Sequence, residues 1–93
     1  MQKDVRAHLI ISGRVQGVFF RVETRNAALR FNVKGWVRNR SDGTVEALLE
    51  GPDDAVQQAI DWCRQGPPHA RVTNVHVDWE TFLGDIDDFS IRY

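Results

Sequence analysis

Apolar residues along this chain fall into runs and alternations that predict seven elements. Leu9-Ile10-Ile11 is an apolar run that predicts a first strand over residues 7–12, ended by Gly13. From residue 21 to about 32, Val22, Ala28, Leu29 and the helix formers around them predict a helix, though with only fair periodicity. Residues 33–40 read as a second strand. Asp42-Gly43 is a strong turn signal, and residues 44–50 alternate, with Val45, Ala47 and Leu49 on one face. These two strands form a hairpin. Gly51-Pro52-Asp53-Asp54 then opens a second helix, because proline suits a first turn and carboxylates complement the helix dipole there. Val56, Ala59, Ile60 and Cys63 follow at i, i+3, i+4, i+7, a buried stripe that ends at Gly66-Pro67-Pro68. Residues 72–80 alternate again: Thr73, Val75, Val77 and Trp79 face one way, and Asn74, His76, Asp78 and Glu80 the other. Phe89, Ile91 and Tyr93 mark a short terminal strand.

The element order is β-α-β-β-α-β plus a terminal strand. That order predicts an α+β ferredoxin-like sandwich, an antiparallel sheet with two helices on one face and a mostly polar opposite face. No repeat, linker or low-complexity tract interrupts it, so residues 1–93 are expected to form a single domain.

Composition removes several function classes. With 42% apolar and 27% charged residues, the chain can bury a core and is not disordered. A formal charge of −1 gives no general attraction to nucleic acid or to anionic membranes, so any positive field must be local. Cys63 is the sole cysteine, which excludes an internal disulfide and a thiolate zinc framework. No secretory apolar core follows Met1-Gln2-Lys3-Asp4, and no apolar run reaches membrane-spanning length. A cytoplasmic monomer is expected, and the sequon Asn39-Arg40-Ser41 is then a chance match.

The chemistry concentrates in Gly13-Arg14-Val15-Gln16-Gly17-Val18-Phe19-Phe20-Arg21. A glycine turn between strand and helix can aim several N–H groups at one point, beside a helix N-terminus and a guanidinium, which suits a phosphate. The glycines are too close for a Walker A loop and no lysine follows Gly17, while the chain is too short for a doubly wound dinucleotide fold. Arginine grips phosphate through its planar fork at any working pH. Taken alone, the stretch fits a glycine turn followed by a solvated arginine about as well. A second stretch is Gly35-Trp36-Val37-Arg38-Asn39. Asn39 stands at a strand end, where it serves either as a turn former or as a hydrogen-bonding partner for a water near the loop.

Together these two stretches, with Asp42-Gly43-Thr44-Val45-Glu46 after them, make the chain resemble the acylphosphatase family over nearly its whole length. The resemblance implies the ferredoxin-like sandwich and metal-free hydrolysis of carboxyl–phosphate bonds, with no cofactor. It further implies that backbone N–H groups of Val15, Gln16, Gly17, Val18, Phe19 and Phe20 cradle the phosphate. Arg21 is then the main charged ligand, and Asn39 orients the attacking water. The expected partner is a small-molecule acyl phosphate, without nucleic acid or membrane.

The remaining polar residues are weaker candidates. His8, His69 and His76 are scattered. His76 with Asp78 fits a solvated sheet face better than a metal site, and Asp85, Asp87 and Asp88 fit an acidic turn. Cys63 fits the core, and Trp36, Trp62 and Trp79 fit packing roles. Two other readings stay open. One is a non-catalytic phosphate- or carbamoyl-phosphate-binding module, as in acylphosphatase-like domains of larger maturation proteins. The other is an RNA-binding sandwich, for which the paired aromatic motif and the charge are wrong. Nothing in the sequence selects among acyl groups.

Overall fold

A computed structural model describes residues 3–93. Seven elements follow in the order β1 (Asp4–Arg14), α1 (Phe20–Phe31), β2 (Lys34–Asn39), β3 (Val45–Pro52), α2 (Asp53–Gln65), β4 (Arg71–Glu80) and β5 (Phe89–Arg92). The sheet order is β4-β1-β3-β2-β5. Both helices lie on one face, α2 over β1, β3 and β4 and α1 over β2 and β5, in contact with each other. The expected sandwich is therefore present. The sheet is not wholly antiparallel, because β5 runs parallel to β2, pairing Gly35 with Phe89 and Val37 with Ile91. Alternation within β5 carries no information about its direction, so this pairing had no signal in the sequence.

The core lies between sheet and helices. Ala7, Leu9 and Ile11 of β1 and Val45, Ala47 and Leu49 of β3 meet Val56, Ala59, Ile60 and Cys63 of α2, all of them buried. The stripe predicted for α2 is thus the packed face. On α1 the buried residues are Phe20, Thr24, Ala27 and Ala28, whereas Val22 and Leu29 face solvent. The buried Thr24 hydroxyl is satisfied by donating to the Phe20 carbonyl at 2.7 Å.

β1 does not end at Gly13. It continues to Arg14 through a bulge, at which the register with β4 shifts from Ser12–Asn74 to Gly13–Val72. Thr73 is the extra residue, so Val72 joins Val75 and Val77 against the core and Thr73 is exposed, contrary to strict alternation. Glycine is required there because a Cβ on Gly13 would sit 2.1 Å from the Arg71 carbonyl oxygen. Gly35 is tighter still, with Leu48 oxygen 1.7 Å from any Cβ. The glycines that open the two sequence motifs are therefore places of close strand approach.

The opposite sheet face carries charge. Arg6 pairs with buried Glu50 at 3.1 Å and with Glu80 at 3.0 Å, and the Leu83 N–H donates to Glu50 at 3.0 Å. Glu46 accepts from Arg38 and is 2.6 Å from His8 Nε2. Burial raises the Glu46 pKa, but His8 and Arg38 outweigh it and hold the carboxyl below its ordinary value. Cys63 is fully buried, and its thiol is pushed up to about 12, so it is an inert core group.

Two outcomes follow for stability. Gly35→Ala should destabilise by more than about 3 kcal/mol, since backbone must move. Gly43→Ala should cost only about 1–2 kcal/mol, because its φ is +90° but its surroundings are open. Chemical denaturation of both variants checks this. For pH, a depressed Glu46 pKa means that its contribution is complete above the unfolded carboxylate pKa and is lost as pH falls through the folded one. Glu46→Gln should flatten the acid limb of stability against pH.

Candidate active site

The turn between β1 and α1 is built by its own apolar residues. Val15 and Val18 are buried in the core, and Phe20 packs edge-on to Trp62 with ring centroids 5.7 Å apart. These anchors hold the intervening backbone at the surface. Gly17 has φ 74° and Phe19 φ 62°, while Val18 between them is outside the positive region. Alternating handedness of this kind turns successive N–H groups toward one side, forming an anion-sized concavity. Among the described residues, none of the N–H groups from Gln16 to Phe19 donates to a backbone carbonyl outside helices and strands. Phe19 is also the N-cap of α1 and provides no side-chain cap. The free donors of the first helical turn therefore face the same region.

Arg21 lies in that first turn. Among the described residues no carboxylate comes within ion-pair distance of it. Its guanidinium carbon lies instead 5.0 Å from the centre of the Tyr93 ring. The positive charge is thus left available.

Asn39 ends β2 opposite Val45, on the helix-facing side of the sheet. Its Oδ1 is buried without a hydrogen-bond partner. A buried carbonyl left in this state costs about 1–3 kcal/mol, so it marks a place where a donor is missing. Asn39 and Arg21 line one cleft of about 240 Å³, together with Val15, Gly17, Phe19 and Phe20 of the turn. Val22, Ile91 and Tyr93 complete its wall.

The sequence reading grouped eight residues here, and the structure brings six of them to the cleft. The exceptions are informative. Val18 is a core residue. The Gln16 side chain turns away and donates to the carbonyl oxygens of Arg40 at 2.8 Å and Thr44 at 2.9 Å, across the β2–β3 turn. Both can offer an anion only their backbone N–H. The Gln16 clamp fixes the turn relative to Asn39, and a sequence signal for it is absent because its acceptors are backbone atoms distant in sequence. The hairpin itself is closed by Asp42, which accepts from the Thr44 N–H at 3.0 Å and hydroxyl at 2.6 Å. Sequence reasoning also left out Tyr93, Val22 and Ile91 as residues of the site.

The other candidates stay apart from this cleft. His8 belongs to the Glu46 pair, and His76 lies 3.2 Å from Asp78 on the exposed sheet face. Among the described residues no cluster of three or more His, Cys, Asp or Glu could hold a metal.

A five-stranded α+β sandwich of the ferredoxin-like class, with an uncapped helix start and an unpaired arginine sharing one cleft, is the kind of protein defined so far. Comparison with known proteins narrows it. Residues 7–91 match the acylphosphatase family model. An acylphosphatase of Pyrobaculum islandicum is 60% identical over 90 residues, covering 96% of this chain and 95% of that one. The crystal structure of acylphosphatase from Bacillus subtilis superposes with a TM-score of 0.92 at 39% identity, covering 96% of this chain and 99% of that one. The chain belongs to the acylphosphatase family. It is also similar to part of full-length HypF, crystallised in a phosphate- and nucleotide-bound form, with a TM-score of 0.88 at 26% identity; the match covers 100% of this chain and 12% of that one.

Removing the clamp should loosen the site more than the fold. Gln16→Ala is expected to cost about 1 kcal/mol of stability, as for loss of ordinary hydrogen bonds. Affinity for inorganic phosphate should fall at least severalfold, read by NMR titration. Unchanged phosphate affinity would contradict the role given to the clamp.

Proposed function

We propose that this cleft hydrolyses the carboxyl–phosphate bond of small acyl phosphates, with Arg21 and the turn N–H groups binding the phosphoryl group and Asn39 aiming the water. The observation that carries the proposal is the buried, unpartnered Oδ1 of Asn39 in the same cleft as a cation without a counter-ion. An amide oxygen accepts a hydrogen bond but is too weak a base to take a proton. It therefore orients one water lone pair toward phosphorus rather than deprotonating it. The leaving group is a carboxylate, which departs without a general acid. The loose transition state of phosphoryl transfer asks mainly for positioning and for neutralisation of charge on the equatorial oxygens.

The step balances simply. Water attacks phosphorus, the bond from phosphorus to the acyl oxygen breaks, the carboxylate leaves with that electron pair, and a phosphate oxygen takes the water proton. Arg21 and the N–H groups meet the negative charge throughout. No carboxylate, imidazole or thiol side chain lines the cleft among the described residues.

A binding module that holds phosphate without turnover is the second reading, favoured by the likeness to part of full-length HypF. Possession of both Arg21 and Asn39 supports the enzyme instead. The reading also takes the chain as one domain acting as a monomer in the cytoplasm. Its radius of gyration of 12.1 Å suits a single compact domain. No helix among the described residues is long and apolar enough to cross a membrane.

The test uses an aryl acyl phosphate in the presence of a chelator. Arg21→Ala should lower kcat/KM by at least about 10²-fold and weaken inhibition by inorganic phosphate, while Asn39→Ala should lower kcat by about 10²–10³-fold and leave phosphate inhibition little changed. Turnover lost to the chelator, or a near-normal rate in folded Asn39→Ala, would overturn the mechanism.

A further inference from the structure

The bulge at Gly13 changes which residue of β4 meets Arg14. An unbroken register running on from Ser12–Asn74 would set Arg14 against Val72; the shift sets it against Arg71 instead. Val72 packs on the core and Val15 is buried. Their neighbours Arg71 and Arg14 therefore stand on the opposite, helix-free face of the sheet, and both are exposed. Side chains directly opposite on one face of an antiparallel pair have Cβ atoms about 4.5–5.5 Å apart, and like charges so placed repel. A bulge that leaves one residue unpaired and brings two guanidiniums together works against stability.

The other arginines of the strands are answered. Arg6 holds Glu50 and Glu80, Arg38 holds Glu46, and Arg92 lies 4.7 Å from the centre of the Trp36 ring. Arg14 and Arg71 have neither a carboxylate within ion-pair distance nor a ring partner among the described residues. Their surroundings leave room for a ligand, because β4 is an edge strand and β3 pairs with β1 only as far as Ile11. Ser12 and Asn74, the preceding pair on that face, offer a hydroxyl and an amide beside the two cations. Two planar forks with neutral donors next to them are the donor set of an oxyanion site. The cleft is separate: Arg21 lines it, and Arg14 and Arg71 do not.

We propose that Arg14 and Arg71 form a second oxyanion site, on the open face of the sheet, that takes a phosphate-type dianion. Each guanidinium can offer parallel N–H donors to a pair of oxygens, so one tetrahedral dianion bridges both and removes their repulsion. Inorganic phosphate and the phosphate of a phosphomonoester share this chemistry, and the exposed face leaves space for the organic group of the second. Val15, which follows Arg14 directly, lines the cleft, so the two sites adjoin along the chain. The second site stands or falls independently of hydrolysis.

NMR titration of the whole protein with inorganic phosphate reads both sites at once, against sodium chloride at matched ionic strength. Backbone N–H signals of Gly17 and Phe19 report the cleft, and side-chain Nε–H signals of Arg14 and Arg71 report the second site. Two separate saturation curves are expected, and in Arg21→Ala the second should persist while the cleft curve is lost. The double variant Arg14→Ala, Arg71→Ala, followed through the N–H signals of Ser12 and Asn74, should weaken the second site by at least about tenfold and leave the cleft curve in place. Without ligand it should be at least as stable as the wild type, since it loses a repulsion and no partner; a clear loss of stability would give the pair a structural role instead. Arg71→Lys keeps the charge but loses the fork, so it should also weaken the second site severalfold. Glycerol phosphate separates the sources: saturation at the second site extends it to phosphomonoesters, and no saturation confines it to inorganic phosphate. Shifts at Arg14 and Arg71 that sodium chloride reproduces, or that vanish with the cleft curve in Arg21→Ala, would overturn the site. Full affinity in Arg71→Lys would do the same, because a diffuse positive field would then suffice. Second-site binding by a wild type that hydrolyses no acyl phosphate would uphold the site and count only against the catalytic reading.

Discussion

The amide of Gln16, held between the carbonyl oxygens of Arg40 and Thr44, is the contact on which the site depends. The turn after β1 and the end of β2 are not neighbours in the sheet, because β3 lies between their strands. Register alone places them at the same end of the molecule. The clamp then converts nearness into a fixed distance between the N–H groups of the turn and the side chain of Asn39. Anchoring by Val15, Val18 and Phe20 does the same on the core side, so the backbone between these anchors has little freedom left. Catalysis that relies on positioning needs this restriction before the substrate arrives.

Two costs are accepted at the site. A left-handed phenylalanine is unfavourable by about 1–2 kcal/mol, and an unpaired buried carbonyl by about 1–3 kcal/mol. Both concern residues of the cleft, Phe19 and Asn39. Elsewhere polar burial is well satisfied: Glu50 has Arg6 and the Leu83 N–H, and Thr24 has the Phe20 carbonyl. A left-handed aromatic residue beside an unpaired buried carbonyl is the expected sign of a functional region, whereas the other left-handed non-glycine residue among those described, Asn32, caps the end of α1, a position that asparagine suits. The glycines divide the work. Gly13 and Gly35 let strands approach, whereas Gly17 sets the turn conformation and has open space around it.

Much of this was readable in the sequence, for reasons that differ between residues. The α2 stripe and the β2–β3 hairpin were plain because their signals are local: a 3.6-residue period and an Asp-Gly turn. The ends of β1 were not, since Asp4 and Arg6 look like solvent residues until β3 and β4 supply partners on the polar face. Thr73 was placed on the wrong face because a bulge opposite Gly13 breaks alternation. The direction of β5 depends on its partner and not on its own residues. At the site, Arg21 and Asn39 stood out through their motifs. The Gln16 clamp and the apolar wall did not, because each is made by residues that only the fold brings together.

The central claim is that the water held at Asn39 is aimed at phosphorus and not at the acyl carbon. Hydrolysis of an aryl acyl phosphate in water enriched in oxygen-18 tests it directly, with both products analysed by mass spectrometry after a single turnover. The account requires one heavy oxygen in the released phosphate and none in the carboxylate. Label in the carboxylate would mean attack at carbon, and the roles given to Arg21 and Asn39 would be wrong.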